Sequence, residues 1–254
     1  MPEHDVHTAR AAFPNGLIQP ERGFRFGLDS LLLACFASCR PGDRVLDLGT
    51  GCGAVGLGLC LKNMDKDLTV LGLDIQADMV SAATRNAQRL GLEGMYSAQQ
   101  GDVCAHRINP DIQPESFDLV ICNPPYRRGN QGRKPKDLGR RRACFEESTE
   151  IADFMRAAFY ALKNRGRVNL VYLIERMATL FHVLAECKLE PKHLRLVHRA
   201  QNCPANLVLL TATKGSRPGL QVHPPLFLDC PQELSVFCPL LPAATCNPGQ
   251  IRTP

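Results

Sequence analysis

The stretch RVLDLGTGCGAVG, residues 44–56, decides the fold. Arg44 to Leu48 reads as a short buried strand, since after Arg44 it is apolar except for Asp47. Gly49, Gly51 and Gly53 follow, where only a chain without side chains turns tightly and lets a ligand come close. A helix is expected from Gly53 to about Lys62, so its first amides point into the gap above the strand. A strand that delivers a glycine turn and then a helix is the opening half of a βαβ unit, and the chain repeats that rhythm.

Working outward, LTVLGLD (68–74) is a second strand, and residues 76–90 form an amphipathic helix closed by Gly91. A weaker strand lies near 95–100, and FDLVIC (117–122) is a buried strand stopped by Pro124-Pro125. A helix over 148–163, a strand over 167–174 and a helix over 175–187 come next. LRLVHR (194–199) and NLVLLTAT (206–213) then read as a terminal antiparallel hairpin. Upstream, Asp29 or Ser30 caps an apolar helix running to about Cys39. The expectation is an α/β fold with a doubly wound, mainly parallel seven-stranded, Rossmann-like sheet and a C-terminal antiparallel hairpin. Residues 1–22 are expected as an N-terminal extension, 23–230 as the folded domain, and 231–254, rich in proline, as a poorly ordered tail.

Composition narrows the classes. With 254 residues, 44% hydrophobic and 22% charged, the chain supports one full-sized core and is not of disordered composition. No apolar run reaches the roughly 18 residues that span a bilayer. MPEHDVHTARAAFPNG lacks the apolar centre of a signal peptide, so a cytoplasmic protein without membrane attachment is expected. The twelve cysteines are scattered without C-x-x-C spacing; reduced thiols, with Cys35 and Cys39 as small core residues, and no metal site are expected. Net charge is only +5, but residues 127–142 hold eight basic side chains against the single acid Asp137. A basic run is usually a solvated loop; this one, which includes Arg140 and Arg141, follows the residues argued below to carry the chemistry, and that suits phosphates.

The glycine turn admits two ligands. Gly51-Cys-Gly53-Ala-Val-Gly56 matches the dinucleotide fingerprint G-x-G-x-x-G, and Asp74 ends the second strand where a ribose-binding acid belongs. A nicotinamide-dependent oxidoreductase is therefore one reading. Asp47 argues against it: an acid at the end of the first strand repels a pyrophosphate and suits the cationic, amino-acid-like end of S-adenosylmethionine. Asp102, after the third strand, can accept from an adenine amine, although Gly-Asp is also a common turn.

Asp118-Leu-Val-Ile-Cys-Asn123-Pro124-Pro125-Tyr126 separates these readings. A proline turn accounts for the two prolines, but not for Asn at the strand's end or for an aromatic just beyond. Methyl transfer to a planar nitrogen accounts for both. The lone pair of such a nitrogen is delocalised; two acceptors, the Asn123 side-chain oxygen and the Pro124 carbonyl, hold its two hydrogens and draw the lone pair out of conjugation. Pro125 stiffens the exit, and Tyr126 offers a flat face for stacking.

In this order, Asp47-x-Gly-x-Gly, Asp74, Gly101-Asp102 and Asn123-Pro-Pro-Tyr126 resemble the class I S-adenosylmethionine-dependent methyltransferases of the small-domain type. Gly23-Phe-Arg-Phe-Gly27-Leu-Asp29-Ser-Leu-Leu-Leu33, Arg195-Leu-Val-His198, Asn206-Leu-Val-Leu-Leu210 and Pro224-Pro225-Leu226 resemble the bacterial tRNA1(Val) (adenine-37-N6)-methyltransferase family. The resemblance spans roughly residues 15–228. It implies that Asp47, Gly49, Gly51 and Gly53 hold the methionine end of the cofactor, Asp74 the ribose and Asp102 the adenine. Asn123, next to the cofactor, and Pro124 would hold the target amine, with Tyr126 stacked on it. Phe26 is a candidate wall of the substrate pocket, or equally a core residue. Leu28 departs from the small polar residue expected before Asp29. The implied substrate is an adenine in tRNA. A glutamine of a release factor and a guanine N2 of rRNA are alternatives that share Asn-Pro-Pro-Tyr, and a non-catalytic RNA-binding module is a further one.

Overall fold

Every segment whose apolar residues recur at strand or helix spacing forms an element. The computed structural model describes residues 3–21, 25–107, 109–125 and 151–241. In chain order the elements are α1 (Glu3–Ala11), α2 (Leu28–Phe36), β1 (Arg44–Leu48), α3 (Ala54–Lys62), β2 (Thr69–Asp74), α4 (Ala77–Leu90), β3 (Tyr96–Gln100) and β4 (Phe117–Cys122). Then follow α5 (Ile151–Ala161), β5 (Leu162–Leu173), α6 (Met177–Glu186), β6 (Leu189–His198), β7 (Ala205–Lys214), β8 (Gln221–Val222), β9 (Leu226–Phe227) and α7 (Pro231–Phe237).

The strands form one sheet in the order β3-β2-β1-β4-β5-β7-β6-β8, with β9 also paired to β6. β1 to β5 run parallel, and β7 is antiparallel to both β5 and β6. Successive crossovers run outward from β1 in one direction through β2 and β3, and in the other through β4 and β5. The order therefore reverses between β1 and β4, where an open parallel sheet binds its ligand at the carboxyl ends of the strands. Register pairs Leu48 with Cys122, so the glycine turn and Asn123 leave adjacent strands side by side.

Both faces of the sheet are covered, which is why its strands read as continuous apolar runs. Alternate residues nevertheless go to opposite faces: Val45, Val70 and Leu119 pack toward α2, α3 and α4, while Leu46, Leu73 and Val120 pack toward α5 and α6. Asp47 shares the face of Val45 and so points under α3.

The expected parallel sheet and terminal hairpin are present, with differences in extent. Two strands of two residues each, β8 and β9, extend the seven expected strands; so short a pair carries no readable period. β5 starts at Leu162, earlier than residue 167, and α2 ends at Phe36 rather than near Cys39. Of the expected tail 231–254, residues 242–254 lie outside the described residues, while the described part holds α7, whose Leu234 and the following Cys238 join the core beside α2. Pro231 stands at its first turn, where a missing N–H is no loss. The N-terminal segment is also docked, since Arg10 donates from Nε to the Leu90 carbonyl and from Nη2 to that of Gly91, at the end of α4. Cys35 and Cys39 are both buried, as expected of small core residues, and the Cys35 and Cys238 sulfurs lie 3.0 Å apart. Among the described residues no helix is long and apolar enough to cross a membrane.

Candidate functional site

The glycine turn is held from below. Gly49, Gly51 and Gly53 have φ of 72°, 56° and 87°, values that side chains disfavour. The Gly49 and Thr50 amides both donate to the Leu73 carbonyl at 2.9 Å, which ties the turn to β2. A Cβ at Gly51 would meet nothing within 4 Å, so space lies open above the turn. Beneath it, Asp47 is 1% exposed. Its Oδ2 accepts from the Thr50 hydroxyl at 2.7 Å and from the Gly56 amide at 3.1 Å. Its Oδ1 has no hydrogen-bond partner among the described residues. Burial, with a smaller contribution from the Asp74 charge, pushes the Asp47 carboxyl up to about 7 against the hydrogen bonds that lower it.

Sequence reading passed over two members of this cluster. Thr50 Oγ1 also lies 2.7 Å from the Tyr96 hydroxyl. Because the Thr50 hydroxyl donates to the carboxylate, Tyr96 donates to Thr50, and the two hydroxyls form a chain that ends on Asp47. Burial, and then the Asp47 charge, raise the Tyr96 phenol well above its ordinary value. Two glycines make room for it. A Cβ at Gly56 would lie 2.6 Å from Tyr96 Cε2, and one at Gly72 would collide with the Tyr96 hydroxyl and stand 2.8 Å from Thr50 Oγ1. The readable signal was Gly72 itself, since glycine inside a strand marks a close approach. Gly72→Ala is expected to destabilise the fold by about 1–3 kcal/mol through overpacking. Tyr96→Phe in the same chain should recover part of that loss, as read by urea denaturation.

Asp74, at the end of β2, is turned toward the same loop. Its Oδ2 accepts from the Gly51 amide at 2.8 Å and its Oδ1 from the Gln76 amide at 2.9 Å. Burial raises its carboxyl, partly offset by these bonds. Asp102 follows β3 and accepts from the Cys104 amide at 2.8 Å, opening a turn of 3₁₀ helix. The Gly101 amide donates to the Asp74 carbonyl at 2.9 Å. Three acids thus stand at the carboxyl ends of three adjacent strands.

Asn123 follows β4. Its Nδ2 donates to Asp29 Oδ2 and to Ser30 Oγ, each at 3.0 Å. Pro124 is buried and Pro125 exposed. Phe26 is half-buried and packs with Leu17 and Ile18 against Cys52, Ala54 and Ala82, on the flank of the glycine turn. Asn86, which the sequence did not flag, secures that flank: its amide donates to the Ile18 and Cys52 carbonyls and accepts from the Ile18 amide. Tyr126, Arg140, Arg141 and the whole basic run 127–142 lie outside the described residues.

The residues present fit S-adenosylmethionine. An open space over the glycine turn admits the ligand's backbone-hugging end, and the neighbouring Asp74 carboxylate has lone pairs to spare for ribose hydroxyls.

Comparison with known proteins bears on the same region. The family described as "Methyltransferase domain" matches residues 40–212. The chain is 27% identical over 188 residues to a tRNA1(Val) (adenine(37)-N6)-methyltransferase of Vibrio campbellii, covering 70% of this chain and 74% of the relative. A protein of the same name from Parabacteroides distasonis is 26% identical over 197 residues, covering 76% of this chain and 79% of that one. Among solved structures, a predicted O-methyltransferase from Agrobacterium tumefaciens superposes with a TM-score of 0.63 at 22% identity, covering 79% of this chain and 87% of that one, a likeness of fold.

Proposed function

The chain belongs to the methyltransferase domain family and is an S-adenosylmethionine-dependent methyltransferase, and from that premise we propose that it methylates the exocyclic N6 of an adenine in tRNA. The oxidoreductase reading of the glycine fingerprint falls with that membership. The observation that carries the proposal is Asn123, set at the carboxyl end of β4 beside the glycine turn with its NH2 group turned inward onto Asp29 and Ser30. The names of the relatives from Vibrio campbellii and Parabacteroides distasonis support adenine N6 in tRNA as the acceptor.

S-adenosylmethionine supplies a methyl group activated by its sulfonium. The turn of Gly49, Gly51 and Gly53, with Asp47 beneath it, receives the methionine end, Asp74 the ribose hydroxyls and Asp102 the adenine amine. Asn123 Oδ1 accepts one hydrogen of the target amine and the Pro124 carbonyl accepts the other. Held this way, the nitrogen has its lone pair drawn out of the ring and aimed at the methyl. No strong general base is required, because the nitrogen becomes acidic only once alkylated. Most of the acceleration comes from alignment. Tyr126 stacks on the flipped base, Pro125 stiffens the segment between them, and the basic run with Arg140 and Arg141 meets tRNA phosphates. Such an enzyme works in the cytoplasm.

The test is incubation with radiolabelled S-adenosylmethionine, total tRNA and release factors, followed by digestion of the RNA to nucleosides. The expected result is label in N6-methyladenosine. Label confined to protein, or to a methylated guanine, overturns the choice of acceptor.

A further inference from the structure

We propose that Asp29 and Ser30 are positioning residues that set which way the Asn123 amide faces. This rests on the reading of Asn123 as the group that accepts a hydrogen from the methyl acceptor. The two ends of a carboxamide are nearly identical in shape, so packing does not choose between them; only hydrogen-bond partners do. For Asn123 the choice decides function. Its oxygen must face the target amine, because an NH2 group turned that way would meet the hydrogens of that amine head-on.

Asp29 makes the choice. It stands in the first turn of α2, is 1% exposed, and uses both oxygens as acceptors. Oδ1 takes the Ser30 amide at 2.9 Å, and Oδ2 takes Asn123 Nδ2 at 3.0 Å. Reversing the amide would set Asn123 Oδ1 against a carboxylate oxygen at that distance, two groups with lone pairs and no proton between them. The Ser30 hydroxyl, 3% exposed and 3.0 Å from the same Nδ2, receives the second amide hydrogen. A hydroxyl can donate or accept, so Ser30 alone would tolerate either orientation; it reinforces what Asp29 dictates.

The surrounding sequence holds this pair still. Gly27 precedes the helix, and a Cβ there would lie 2.8 Å from Asp29 Oδ1. Leu31, Leu32, Leu33 and Ala34 are all at most 3% exposed, so the helix that carries the pair is anchored in the core. This gives the first turn of α2 a task that its distance in sequence from Asn123 conceals.

The experiment compares Asp29→Asn, Ser30→Ala and Ser30→Thr, each in the wild-type and in the Asn123→Ala background, using the acceptor that the wild-type protein labels. Asp29→Asn is expected to lower kcat by about 10–100-fold, since its amide no longer enforces one orientation. KM for the acceptor and Kd for S-adenosylmethionine should stay within about three-fold, because no binding contact is removed. Ser30→Ala should lower kcat by about 3–10-fold, and Ser30→Thr should restore it. In the Asn123→Ala background neither position should matter further, because both act through that side chain. An unchanged kcat for Asp29→Asn, a loss confined to KM, or the same fractional loss without Asn123 would each overturn the inference. If Asp29→Asn does not fold, the Ser30 pair decides by the same readouts. Wild-type labelling of protein instead of RNA would sink the tRNA reading and leave this comparison intact on the protein acceptor. Labelling of neither overturns both.

Discussion

Asn123→Ala is expected to lower kcat by on the order of 10²–10³-fold, as losing one preorganised hydrogen-bond partner of a reacting group does elsewhere. Binding of S-adenosylmethionine should be nearly unchanged, because the glycine turn, Asp74 and Asp102 belong to β1, β2 and β3, whereas Asn123 belongs to β4. Single-turnover methylation at saturating cofactor and acceptor, beside a direct cofactor titration, separates the two effects. Asn123→Asp should be at least as severe. A carboxylate at that position would bring an oxygen to within about 3.0 Å of Asp29 Oδ2, and two carboxylates so close cannot both stay ionised. The side chain would either take up a proton or swing away, and in both cases the acceptor is no longer presented as it was. Full activity of Asn123→Ala with intact cofactor binding would remove the proposed mechanism altogether.

The parts of this site that could be read from the sequence are those that sit where strands end. Asp47, Asp74 and Asn123 each stand at the end of a strand whose apolar run is plain, Asp102 follows a weaker one, and topology puts the carboxyl ends of parallel neighbours together whatever the details of packing. Alternation alone does not fix the strand order, and the reversal between β1 and β4 is seen only in the folded sheet. What remained hidden depends on side chains that meet across long separations. Asp29 reaches Asn123 over 94 positions, and Thr50 reaches Tyr96 over 46, with no local pattern to announce either contact. Tyr96 in particular opens a weak strand and would pass for an ordinary core aromatic; only Gly56 and Gly72, which clear its path, hint at it. Phe26 was open between pocket and core, and lies on the flank of the glycine turn. Within residues 231–241 composition misled: the prolines suggested a chain without structure, whereas Pro231 is the start signal of a helix that carries Leu234 into the core.

The second large effect concerns pH and lies with Asp47. Its carboxyl is pushed up to about 7 by burial, from an ordinary value of 3.8. Between those values the folded chain holds a proton that the unfolded chain has released. Stability therefore falls as pH rises through that window, and the whole penalty stands above about pH 7. Taken at 1.36 kcal/mol for each tenfold change in proton affinity, the interval amounts to on the order of 4 kcal/mol. Asp47→Asn cannot titrate. Its oxygen can still accept from the Thr50 hydroxyl and the Gly56 amide, but its NH2 group would occupy the place of Oδ1, which has no hydrogen-bond partner among the described residues. An unpaired buried donor costs about 1–3 kcal/mol at every pH. The two effects oppose each other with different pH dependence. At pH 5 the variant should lie close to wild type in stability, because most of the wild-type carboxyl is neutral and its proton sits on Oδ1, a buried donor that lacks a partner among the described residues just as the variant's NH2 group does. Between pH 5 and 8 the difference should move in the variant's favour by on the order of 3 kcal/mol, as the wild type alone gives up its proton. Urea denaturation of both proteins at the two pH values measures this directly, and subtracting one curve from the other cancels the remaining titrating groups. Parallel pH profiles would mean that Asp47 is already ionised in the folded protein at pH 5, held there by the Thr50 hydroxyl and the Gly56 amide against its burial.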